Sequence, residues 1–187
     1  MIPTRNKTKT LQTTVDEMRN FALIYVGKYA PTKQQLRTYL LKKYMKLSIS
    51  RVKKEDIYKL IDIVLLDLEK NKFINDQFYS ESKAKNMIQR GHSLNQIRNY
   101  LIGKGINDNF VKDTVIKIKE NNSDQDFFSA IKICKKRRIG PARSEDNRTF
   151  FYKKDISILA RKGFDFETSK KVMDLDKNDY LKIINYL

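Results

Sequence analysis

The sequence holds one cysteine, one histidine and no tryptophan among 187 residues. A lone Cys134 cannot close an internal disulfide, which fits a reducing compartment. With only Cys134 and His92, no one-chain zinc site of the usual Cys/His kind can be assembled. Six glycines and three prolines are too few for a loop-rich β-sandwich or a flexible low-complexity chain. The longest apolar run, Phe21 to Val26, falls far short of a membrane span, and residues 1–7 lack the apolar stretch of a signal peptide. The expectation is a soluble cytoplasmic protein with no membrane partner.

What the sequence has in excess is positive charge. Lys and Arg number 39 against 22 Asp and Glu, a formal +17 at pH 7. That surplus says nothing about fold but points to a polyanionic partner: nucleic acid, an acidic membrane surface or an acidic protein. It is uneven, with 14 basic and 4 acidic side chains in residues 1–60, 10 and 8 in 61–121, and 15 and 10 in 122–187.

Apolar residues make up 40% of the chain, and their spacing predicts helix almost throughout. Val15, Met18, Ala22, Tyr25 and Tyr29 mark a first helix capped by Thr14. Thr32 with Gln35 forms a capping-box pattern that opens a second, carrying Leu36, Tyr39, Leu40 and Leu47. After a basic stretch at Ser48–Lys54, Ile57, Leu60, Ile61, Val64, Leu65 and Leu68 mark a third. Asp76 is read as the cap of a helix with Phe78, Tyr79 and Met87 that ends near Arg90-Gly91. Ser93 with Gln96 opens the next, which Gly105 stops, and Asn107 caps the one after. The last section predicts helices over about 126–138, 150–162, 167–173 and 177–186, with a polar loop from Gly140-Pro141 to Arg148.

Leu36-Arg-Thr-Tyr-Leu40-Leu-Lys-Lys43-Tyr44 aligns with Ile97-Arg-Asn-Tyr-Leu101-Ile-Gly-Lys104-Gly105 and with Asp155-Ile-Ser-Ile-Leu159-Ala-Arg-Lys162-Gly163. The third copy departs at Asp155, where the others are apolar, with Ile156 as the substitute. The expected fold is all-α: three tandem three-helix, helix-turn-helix-like repeats in an elongated, curved array. The boundaries are a polar tail at 1–13 and repeats at 14–74, 75–121 and 122–187.

Motifs for catalysis are missing. Gly103-Lys104-Gly105 is a helix stop and no phosphate loop. Asp174-Leu-Asp176-Lys-Asn178-Asp179 opens like a calcium loop, but Asp179 stands where glycine is needed and Asn185 where a bidentate Glu is needed. His92 reads as a turn residue, and Cys134 as a buried thiol on an apolar stripe. No cofactor and no catalytic residue is expected. The densest basic cluster is Lys135-Lys136-Arg137-Arg138, followed by Arg143, Arg148, Lys153 and Lys154. The stop signals add Lys42, Lys43, Lys104, Arg161 and Lys162. Each group complements a helix dipole or contacts phosphate or an acidic groove.

The middle section carries a family pattern. Ile74-Asn75-Asp76-Gln77-Phe78, then Arg90-Gly91-His92-Ser93-Leu94-Asn95-Gln96-Ile97-Arg98, then Leu101-Ile102-Gly103-Lys104-Gly105-Ile106, resembles the RecX family of recombinase regulators in order and spacing. Arg161-Lys162-Gly163-Phe164 is similar to that family's basic-Gly-Phe ending, and Leu36-x-x-x-Leu40-x-x-Lys43 to its opening unit. The resemblance spans about residues 20 to 175. It implies an all-helical protein that lies in the groove of a RecA–DNA filament and limits ATP hydrolysis, strand exchange and filament growth. Arg90 and Arg98, which lie in the matching motifs, join the expected contact residues. DNA is expected as an accessory partner and the chain as a monomer. The alternative is a helix-turn-helix protein acting directly on duplex or single-stranded DNA. An enzyme ranks third, resting on no motif.

Overall fold

A computed structural model describes residues 13–45 and 53–187. The tail through residue 12, Leu47 and most of the basic stretch from Ser48 lie outside the described residues. Among the described residues there are ten α-helices and no strand. No helix there is long and apolar enough to cross a membrane. The chain divides into two compact units, one through Asp76 and one over Gln77–Leu187.

The first unit contains α1 (Val15–Tyr29), α2 (Lys33–Met45) and α3 (Lys54–Lys70). Thr14 caps α1, its hydroxyl accepting from the Glu17 N–H at 3.3 Å. Pro31 follows the left-handed Ala30, and the Thr32–Gln35 capping box closes in both directions. The Gln35 side chain accepts from the Thr32 N–H at 3.0 Å, and the Thr32 hydroxyl accepts from the Gln35 N–H at 3.1 Å. Met18, Ala22, Leu36, Leu40, Ile57, Ile61, Val64, Leu65 and Leu68 form a core with no solvent exposure. Acids on α3 then take up cations of the other two helices: Arg19–Asp67 and Lys33–Glu69 at 2.6 Å each, and Arg37–Asp62. All are partly exposed, so each adds at most about 1 kcal/mol.

Asp76, the first residue of α4 (Asp76–Gln89), still belongs to the first unit; the second contains the rest of α4, then α5 (Leu94–Gly103), α6 (Asp108–Asn121) and α7 (Gln125–Arg137). A 3-10 turn at Gly140–Ala142 follows, then α8 (Glu145–Arg161), α9 (Phe166–Met173) and α10 (Lys177–Tyr186). One apolar cluster gathers Ala84, Leu94, Ile97, Leu101, Ile106 and Val111. Another gathers Ile131, Cys134, Leu159, Phe164, Val172, Met173 and Tyr180 with their neighbours.

The start of α5 is closed by groups from three parts of the second unit. The Ser93 hydroxyl accepts from the Gln96 N–H at 3.1 Å and donates to the Lys162 carbonyl at 2.8 Å. The Asp126 carboxylate, in the first turn of α7, accepts from the Leu94 N–H at 2.8 Å. Gly163 sits here at φ +79°, and a Cβ on it would lie 2.8 Å from the Ser93 hydroxyl oxygen. Gly91, at φ +80°, likewise lies against α7, where a Cβ would come 3.1 Å from the Ser129 carbonyl. Both stops are therefore glycine for two reasons: left-handed backbone and close approach.

Three expectations need correction. α8 starts at Glu145, five residues before the expected Phe150, because its first turns carry Glu145, Asp146 and Arg148 and no apolar stripe. Asp76 is the first residue of α4, and its carboxylate accepts from the Lys33 N–H at the start of α2, 2.8 Å away. Phe78, placed on the apolar face of its helix, is 69% exposed.

Candidate partner-binding surface

The basic residues fall into two groups by what they touch. Lys135, Lys136, Arg137 and Arg138 are all exposed at the end of α7, with Arg138 itself in the left-handed conformation that ends the helix. Lys42, Arg90, Arg98, Lys153, Lys154 and Arg161 are also exposed. These side chains, Lys154 included although it lies 5.6 Å from the Phe151 ring centre, are exposed enough to trade hydration for contact with an anion at little structural cost.

The others are engaged within the fold. Lys43 is half-buried, its ammonium 3.7 Å from the centre of the Phe21 ring and 6.0 Å from that of Tyr39. Lys104 lies 5.3 Å from the Tyr100 ring centre, one helical turn before it. Lys162 is half-buried and ends α8, its carbonyl held by Ser93. Lys104 and Lys162 thus cap the ends of α5 and α8, Lys43 lies in the last described turn of α2, and Lys43 and Lys104 each follow a tyrosine by four residues.

Arg143 and Arg148 hold the last section together. Arg143 donates to both oxygens of the Asp155 carboxylate, Nε at 2.6 Å and Nη2 at 2.9 Å, while the Gly140 N–H donates to the same carboxylate at 2.8 Å. Asp155 is fully buried and the Arg143 side chain 21% exposed. Burial alone would push the Asp155 carboxyl up. The hydrogen bonds from Arg143 and Gly140 and the nearby positive charge outweigh it and hold the carboxyl below its ordinary value. The same pairing raises Arg143. Arg148 donates to the Met173 carbonyl at 2.8 Å and the Leu175 carbonyl at 2.5 Å, tying α8 to the end of α9. Lys177, at the start of α10, donates to the Pro141 and Arg143 carbonyls at 3.2 Å each.

Asp155 is the residue that the sequence pattern misplaced. It stands at a buried register position, and its charge is met by Arg143 across the Gly140-Pro141 turn, so Ile156 need not replace it. The structure brings Arg143 and Lys154 together around one ring, Phe151, at 4.4 and 5.6 Å from its centre. Phe150 beside it, expected only as the start of a helix, is 81% exposed.

The chemically reactive groups are quiet. Burial, followed by the Asp155 charge, pushes the Cys134 thiol up to about 12, so it stays protonated near neutral pH. His92 is half-buried at the α4–α5 turn, its Nδ1 2.9 Å from the Gln96 side-chain oxygen. Asp176 caps α10 by accepting from the Asp179 N–H at 2.8 Å. Among the described residues, no three His, Cys, Asp or Glu side chains gather into a group able to hold a metal ion.

No family model matches the chain. It is similar to the regulatory protein RecX of Myxococcus xanthus, 31% identical over 164 residues, a match covering 84% of each chain. The regulatory protein RecX of Vibrio parahaemolyticus is 21% identical over 136 residues, covering 73% of this chain and 81% of that one. A crystal structure of regulatory protein RecX superimposes with a TM-score of 0.62 at 20% identity, over 86% of this chain and 74% of the other. The crystal structure of RecX from Lactobacillus salivarius gives 0.58 at 19% identity, over 92% and 97%. At such identities the structural likeness speaks for the all-α fold, whereas the Myxococcus match is close and long enough to speak for kinship. On that match, the chain belongs to the RecX family of regulatory proteins.

Proposed function

We propose that this chain is a non-enzymatic regulator of the RecA recombinase, acting by binding the RecA–DNA filament along its helical groove. The observation that carries the reading is the 31% identity to a regulatory protein RecX across 84% of the chain. Binding would limit ATP hydrolysis, strand exchange and filament growth by occupancy, with no turnover. The protein would act as a cytoplasmic monomer, with DNA as an accessory partner.

The chemistry supports this reading in two ways. A net +17 chain suits an acidic filament surface or the phosphates within it. The Lys135–Arg138 quartet is exposed and outside every apolar cluster, as a contact surface requires. We read the chain as three successive helical units, 14–74, 75–121 and 122–187, each with its own apolar cluster, so that modest contacts from each would add by avidity. A second reading, direct action on duplex DNA, draws on α5 and α6, which a four-residue turn joins.

The test is ATP hydrolysis by the cognate RecA on single-stranded DNA with this protein titrated in. Dose-dependent inhibition is expected, unmatched by a basic control protein of similar charge. The variant K135E/K136E/R137E/R138E should inhibit less while keeping its helicity. Full inhibition by that variant would remove the quartet from the contact surface. No inhibition by the unmodified protein would defeat the reading, and tight, sequence-selective duplex binding would replace it with the second.

A further inference from the structure

We propose that the exposed face of α8 is a contact surface for single-stranded nucleic acid. Phe150 would stack on a base while Lys153, Lys154 and Arg161 hold phosphates. The surface is separate from the Lys135–Arg138 quartet.

Phe150 lies inside a helix, yet its side chain is 81% exposed. Its ring meets Phe151 edge to face, with centres 4.8 Å apart and planes at 86°. Phe151 in turn is covered by the Arg143 guanidinium at 4.4 Å, and Arg143 is fixed by the buried Asp155. Phe150 thus presents exposed apolar surface beside a supported neighbour, which lowers the ordering cost of stacking.

Phe150, Lys154, Ser157 and Arg161 follow one another at spacings of four, three and four residues, so they share one side of the helix, flanked by Lys153. All five are exposed. Among the described residues, Lys153, Lys154 and Arg161 make no ion pair. The acids of α8 do little to cancel them: Asp155 is buried against Arg143, Glu145 pairs with Arg148, and Asp146 is alone at the helix start. Cations beside an exposed aromatic ring match a strand that offers phosphates and unstacked bases together. A duplex hides its base faces and would use the cations only. An acidic protein surface would likewise leave the ring without a flat partner.

The experiment is fluorescence anisotropy with a labelled oligo-dT, an abasic strand of equal length and a duplex, at several salt concentrations. The unmodified protein should bind oligo-dT more tightly than either other probe. F150A should weaken oligo-dT binding by about 5- to 100-fold and leave abasic binding unchanged, and F150W should restore it. K153E/K154E should weaken oligo-dT and abasic binding alike and flatten the salt dependence by roughly 1.4 in log–log slope. Because Phe150 is so exposed, F150A should keep its helicity and melting temperature. Equal oligo-dT binding by F150A and the unmodified protein would overturn the proposal, as would a preference for duplex. Loss of RecA inhibition by F150A with oligonucleotide binding intact would make α8 a protein-binding face and overturn it too.

Discussion

Replacing Arg143 with methionine separates a structural cation from a binding one. The substitution keeps most of the apolar stem but deletes two hydrogen bonds, at 2.6 and 2.9 Å, to a carboxylate with no solvent exposure. Breaking a buried pair from one side costs about 3–5 kcal/mol, since the other charge is stranded. Here the low end applies, because the Gly140 N–H still donates to Asp155 and Arg143 was 21% exposed. About 3 kcal/mol is expected, which for a cooperative unit the size of Gln77–Leu187 lowers the melting temperature by about 12 °C.

The pH dependence gives the sharper test. In the unmodified protein the Asp155 carboxyl is held below its ordinary value, so its contribution is present above about pH 4 and is lost as pH falls through the lower folded value. Without Arg143, burial is opposed only by the Gly140 N–H and the Lys154 charge, and the carboxyl is expected to move up. The variant then carries a penalty at neutral pH that is relieved as pH falls and the group protonates. The stability gap between the two proteins should therefore narrow steadily from pH 7 to pH 4. The double variant D155L/R143M, which strands no charge, should be more stable at pH 7 than R143M alone. Urea denaturation at each pH measures all of this. A gap under 1 kcal/mol at pH 7, or one independent of pH, would refute the buried-pair reasoning.

Other substitutions test the packing. Gly163→Ala forces a Cβ to 2.8 Å from the Ser93 hydroxyl at φ +79° and should cost about 1–3 kcal/mol in urea unfolding of the second unit. Gly27→Ala, inside α1 with nothing within 4 Å, should instead stabilise the first unit by roughly 0.5–1 kcal/mol. Leu101→Ala opens a cavity at a side chain with no exposure and should cost about 2–5 kcal/mol; an unchanged melting temperature would remove Leu101 from the core.

Local signals were legible in the sequence. Thr14, Thr32 with Gln35, Ser93 and Asn107 cap their helices as read, because an N-cap needs only residues within one turn. The buried positions Leu40, Leu101 and Leu159, which share one register, follow from 3.6-residue spacing in the same way. Illegible were the contacts made across tens of residues. Asp76 reaches the Lys33 N–H and Asp126 reaches the Leu94 N–H, each an acid in the first turn of one helix closing the start of an earlier one. Burial pushes both carboxyls up despite those hydrogen bonds. Sequence spacing cannot separate such an acid from a cap of its own helix. Nor can it separate a buried Phe from Phe150, since exposure depends on which neighbouring helix is absent from that side.

The same distinction governs how the basic surface is to be mapped. Charge counting treats Arg143, Arg148 and the Lys135–Arg138 quartet as equals, but the fold does not. Arg143 neutralises a buried acid and Arg148 donates to two carbonyls at the end of α9, so reversing either charge would weaken any partner by loosening the last section. The quartet touches no core cluster, and its reversal can act only where a partner lies against it or through the dipole of α7. A lost interaction therefore identifies a contact only when stability is unchanged. By that criterion Lys135, Lys136, Arg137, Lys153, Lys154 and Arg161 are the informative positions, and Arg143 and Arg148 are controls for the fold.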